Sequence, residues 1–86
     1  MSVQFEVEFT SKLPIAKQWV IDGWVKEGTV LQGDELIVES LGKEITVKSI
    51  ALVNTPKHEE GRLTISIEEP GFDFDLIAKG MIIRNK

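Results

Sequence analysis

The chain contains no cysteine, so neither a disulfide framework nor thiolate chemistry is open to it, and the expected setting is the cytoplasm. No apolar run approaches the ~18 residues that span a bilayer, so no membrane association is expected. The opening residues, MSVQFEVEFTSK, lack the basic start and continuous apolar stretch of a signal peptide. Positive charge is in deficit: ten Lys and Arg stand against fourteen Asp and Glu, a net charge of −4. Non-specific nucleic-acid binding depends on counterion release against clustered cations. Here the cations are scattered, which argues against strong non-specific nucleic-acid binding.

Catalytic residue types are equally scarce. His58 is the single histidine and lies in the polar stretch NTPKHEEG, where a general base would need a positioned nucleophile or substrate within hydrogen-bond reach. The HEE triplet lacks the spaced histidines or cysteines of a zinc site. Glu68, Glu69, Asp73 and Asp75 offer oxygen ligands of the kind calcium takes, but an acidic, solubilising rim is the simpler reading. The expectation is a chain that is not an enzyme and holds no cofactor or metal.

What is present is a strand pattern. In VQFEVEF, Val3, Phe5, Val7 and Phe9 alternate with Gln4, Glu6 and Glu8, so the first four are expected to face a core. WVIDGWV sets Trp19, Ile21, Gly23 and Val25 on one side and Val20, Asp22 and Trp24 on the other. ELIVES directs Leu36 and Val38 inward, LTISIEE does the same with Leu63, Ile65 and Ile67, and GMIIRNK reads as a short closing strand. EITVKSIALVN breaks step: Ile45 and Val47 share one parity, Ile50 and Leu52 the other. One extra residue near Lys48 and Ser49, a β-bulge, restores both pairs to the core and bends the strand.

Turn residues separate these runs, including Pro14, Gly28, Gly33, Gly42, Gly61 and Gly80. Only FDFDLIAKG has the pattern of a helical turn, capped by Asp73 or Asp75 and closed by Gly80. Residues 1–86 therefore read as a single all-β domain. The expected form is a small, closed six- to seven-stranded antiparallel β-barrel with at most one short helical turn, because closure removes exposed strand edges.

The stretch VIDGWVKEGTVLQGDELIV resembles the start of the second, β-barrel domain of translational GTPases such as elongation factor Tu. That family runs V-x-x-G-x-V-x-x-G-x-[VIL]-x-x-G-[DE]-x-[VIL]-x-[VIL]. Val20, Gly23, Val25, Gly28, Gly33, Asp34, Leu36 and Val38 fit it, with Val30 placed by a one-residue gap. VKSIAL looks like the family's bulged middle strand, and Gly71, Asp75, Gly80 and Ile82 are similar to its closing segment. The resemblance implies a barrel of the translation-factor second-domain type standing alone, with Gly23 where backbone approaches closely.

The departures from the family are informative. No G-x-x-x-x-G-K-[ST] loop occurs in the chain, so GTP binding by this chain alone is not expected. The family's acidic and basic residues for the aminoacylated end of transfer RNA carry over to Ala51 and Asn54, neither of which supplies the charge. Trp24 replaces a position that is usually basic or polar in the family, and tryptophan is enriched at interaction hot spots.

The expected site is thus an outward face carrying Asp22, Trp24 and Lys26, with Asn54, Lys57 and His58 from the nearby loop. It belongs to a non-catalytic module that binds a protein or ribonucleoprotein partner. The competing expectations for Trp24 are a surface ring laid over a neighbouring strand or covering the barrel's mouth, and burial against a second copy in a structural, self-associating module with no RNA or ribosome role. Monomer and weak homo-oligomer both remain open.

Overall fold

The computed structural model describes residues 2–51 and 61–86. Six strands form in the order β1 (Gln4–Leu13), β2 (Gln18–Glu27), β3 (Glu35–Val38), β4 (Lys43–Ala51), β5 (Arg62–Ile67) and β6 (Ile82–Asn85). Every pairing between them is antiparallel. The sheet closes on itself in the order β1-β2-β5-β4-β3-β6, a barrel-like ring. Closure leaves its strands paired on both sides over much of their length, which is how a small all-β chain avoids exposed edges. Among the described residues there is no α-helix, and no helix long and apolar enough to cross a membrane.

Period-2 alternation sorts the side chains between the two faces. Val3, Phe5, Val7, Trp19, Ile21, Leu36, Val38, Ile45, Val47, Leu63, Ile65, Ile67 and Ile83 fill the interior. The connection from β2 to β3 contributes Val30, which is buried while its neighbour Leu31 is exposed. Gly28 starts that connection at φ +75, and a Cβ there would collide with the carbonyl oxygen of Ser2. Both the positive φ and the close approach call for glycine.

Gly23 answers to a different constraint. It lies opposite Val7 of β1 and Leu63 of β5 on the inner face. A Cβ at this position would overlap the Glu6 carbonyl oxygen and come within 2.9 Å of Phe5 Cε1. The Phe5 ring thus occupies the volume a side chain at 23 would need, and β1 can bend tightly across β2 at that point.

Among the described residues, three bulges adjust the register. On β4, Val47 pairs with Ile67 but Ser49 with Ser66, so Lys48 is the extra residue. Ile45 and Val47 are buried and Ile50 packs against the core, as the parity break implies; Leu52 lies outside the described residues. On β2, Lys26 is the extra residue between the pairs Gln4–Glu27 and Phe5–Val25.

The third bulge overturns an expectation. Val7 pairs with Gly23 and Phe9 with Asp22, so Glu8 is inserted into β1. Beyond it the parity flips: Thr10 stands opposite the core residue Ile21, and Phe9 is 51% exposed instead of facing the interior.

A helical turn forms where FDFDLIAKG predicts one, as a 3-10 turn at Phe74–Leu76. Its cap is Asp73, whose side chain accepts from the Asp75 N–H at 3.0 Å. Gly80 does not close it. The turn ends at Ile77, and Gly80 instead donates its N–H to the Val7 carbonyl at 2.8 Å. Residues 74–80 run beside β1 as a strap, tied by Lys12–Asp75 at 2.8 Å and Lys79–Glu8 at 3.6 Å. The buried side chains of Phe74 and Ile77 anchor it to the core. The strap covers the part of β1 that β6, paired only with Gln4, Phe5 and Glu6, leaves open.

Candidate functional site

The outer faces of β2 and β5 lie side by side, with Trp24 opposite Arg62, Asp22 opposite Thr64, and Val20 opposite Ser66. Alternation turns these residues away from the core that Ile21, Leu63 and Ile65 fill. On its other flank Trp24 stands opposite Glu6 of β1. The indole is half-buried, because the two flanking strands put side chains against it. The Arg62 guanidinium lies 5.4 Å and the Lys26 ammonium 5.9 Å from the ring centroid. Both distances suit a cation–π contact. The bulge at Lys26 breaks the alternation at that residue and re-aims its side chain.

Asp22, two residues before Trp24 on β2, contacts Arg62. It is only 6% exposed although it lies on the outer face. Thr64 Oγ1 donates to its Oδ2 at 2.9 Å, and Arg62 Nη2 approaches its Oδ1 at 3.2 Å. The Arg62 contact is an ion pair without hydrogen-bond geometry at Oδ1. The carboxylate therefore braces Arg62, and Arg62 in turn covers Trp24. Asp22 is a positioning residue and not the exposed contact residue that alternation alone implies.

The sequence-predicted residues divide accordingly. Trp24 and Lys26 come together at the surface, and Asp22 holds the neighbouring Arg62. Asn54, Lys57 and His58 lie outside the described residues. Trp19 is buried with the opposite parity, as expected. Arg62 is the residue that sequence reasoning missed. Its parity with Thr64 and Ser66 already marked it as outward, but its partner becomes visible only through the β2–β5 register.

Next to this cluster an apolar cleft of about 470 Å3 opens at one end of the ring. Val25, Val30, Ile50 and Leu63 line it, with Arg62 at its polar side. Mouths of β-barrels lined by apolar groups and a few polar ones are common binding locations. Of the acidic residues at the opposite end, Asp73 caps a turn and Asp75 pairs with Lys12. Among the described residues, no group of three His, Cys, Asp or Glu is placed to hold a metal ion. Comparison of the chain with protein-family models gives no match, and comparison with curated proteins gives none either.

Proposed function

We propose that this chain is a non-catalytic, cytoplasmic binding module of the translation-factor second-domain type that engages a protein or ribonucleoprotein partner. Contact is made through Trp24, Lys26 and Arg62, and the adjoining apolar cleft receives a side chain of the partner. The observation that carries this reading is the half-buried indole flanked by two cations, one of which, Arg62, is held by a buried carboxylate. Tryptophan and arginine dominate measured hot spots because they offer large contact areas at defined geometry. A brace that fixes Arg62 before contact reduces the ordering cost of binding. The resemblance of residues 20–38 to the translational family supports the module type, and the closed antiparallel ring agrees with it.

Self-association through Trp24 takes second place. A two-fold contact centred on the indole would bring Lys26 and Arg62 close to their own copies, and like charges placed together are repulsive.

The test is affinity capture from extract of the native organism with the parent chain and with Trp24→Ala, across a salt series and with nuclease treatment. Loss of a hot-spot side chain costs about 2 kcal/mol, or roughly 30-fold in affinity. A captured partner should therefore disappear with Trp24→Ala while the variant keeps the parent's circular dichroism. A partner retained equally by both chains overturns the reading. Steep weakening with salt together with nuclease sensitivity identifies the ribonucleoprotein form.

A further inference from the structure

Two irregular points in the backbone carry lysine, and both lysines line the same notch. Lys17 ends the β1–β2 turn in the left-handed region at φ 52, the single non-glycine residue with positive φ among those described. Glycine or asparagine is the usual occupant of such a position. Lys48 is the extra residue of the β4 bulge, a feature that often re-aims a side chain. With Gln18, Ser49, Ser66 and Ile67 these lysines enclose a space of about 80 Å3. That is room for several waters, and so for one tetrahedral oxyanion, but not for an extended ligand.

Hydrogen-bonding character and charge point the same way. Ser49 and Ser66 are register partners across β4 and β5, which places their hydroxyls side by side. Two lysines, two serines and one glutamine thus line the notch, and none of the residues lining it is acidic. An ammonium is a point-charge phosphate binder, and hydroxyl donors add short hydrogen bonds.

We propose that this notch is a phosphate-binding site, with Lys17 and Lys48 as the charged ligands and Ser49 and Ser66 as hydroxyl donors. It lies on the outer face of β5, four residues along from Arg62, or roughly 13 Å at strand spacing. It is separate from the Trp24 cluster, so either site can fail without the other. The phosphate is free or terminal in one case and part of a nucleic-acid backbone in the other.

The experiment is an amide-shift titration by NMR of the full chain with inorganic phosphate at constant ionic strength. Sodium chloride serves as the control, and a short single-stranded RNA as a second titrant. Saturable shifts at residues 17, 18, 48, 49 and 66, with half-saturation on the order of 1 mM, are expected. Lys48→Gln and Lys17→Gly should each raise that concentration at least tenfold, and Lys48→Arg should restore binding. Lys17→Gly also removes the left-handed strain, so its loss of binding cannot be ascribed to unfolding. RNA that shifts the same amides at lower concentration identifies the backbone phosphate as the source; RNA without effect identifies the free or terminal group. Shifts that are linear, spread over all lysines or unchanged in Lys48→Gln and Lys17→Gly overturn the site.

Discussion

Replacing Gly23 by alanine tests the closure of the ring at its tightest point. Glycine to alanine in an unstrained site stabilises a protein by about 0.4–1 kcal/mol, because the unfolded chain loses freedom. At position 23 the sign should reverse. The added methyl would overlap a backbone oxygen of β1 and press on the Phe5 ring. The oxygen belongs to a strand held on its other side by β6, so it cannot move without breaking a ladder. Overpacking of this kind costs typically 1–3 kcal/mol, and a backbone obstacle belongs at the upper end.

After the entropy gain, a net loss of about 2–3 kcal/mol remains. For a domain of this size that lowers the melting midpoint by roughly 10–20 °C at 4–8 °C per kcal/mol. With a urea slope near 1 kcal/mol/M it moves the midpoint by about 2–3 M. Gly71→Ala is the internal control, since a Cβ there meets nothing within 4 Å; it should be neutral or slightly stabilising. Urea melts of the three proteins followed by circular dichroism decide the matter. A Gly23→Ala variant as stable as Gly71→Ala would refute the close-approach argument.

Two further outcomes follow from the ion pairs. Asp22→Ala removes the brace beneath Arg62 and the acceptor of Thr64, and should cost about 1–3 kcal/mol in a urea melt, whereas Asp22→Asn, which keeps an acceptor for Thr64, should cost less. The Asp75 carboxylate, by hydrogen bonding and charge, raises the Lys12 ammonium above its ordinary value of 10.5. A raised folded value means that the contribution of this pair is fully present below pH 10.5 and is lost as pH climbs through the folded value. Side-chain NMR titration should find Lys12 deprotonating above 10.5 in the parent and falling back toward it in Asp75→Asn.

Much of the architecture could be read in advance because a half-buried strand imposes a two-residue period on its own sequence. Leu63, Ile65 and Ile67, or Leu36 and Val38, declare their face without knowledge of any partner. The Lys48 bulge was legible for the same reason, since Ile45 and Val47 fall out of step with Ile50. The Glu8 bulge was not. The apolar alternation continues unbroken through Phe9, and only the pairing with β2 shows that the strand has shifted.

The candidate site divides along the same line. Trp24 is outward by parity alone, but its environment depends on which strands lie beside β2. Arg62 is thirty-eight residues further along the chain, and no local pattern connects the two. The burial of Asp22 is likewise a property of the β2–β5 register, because a charged residue on an outward parity reads as solvated until Thr64 and Arg62 close over it.

The arrangement of the Trp24 face can be measured directly by quenching the fluorescence of a Trp19→Phe variant, in which Trp24 is the sole emitter. An accessible indole between two cations attracts anions and repels cations. Iodide should therefore quench more strongly than caesium at low ionic strength, despite the chain's overall negative charge, and the preference should fade with added salt as screening sets in. An emitter quenched by neither ion, or better by caesium, would contradict the account.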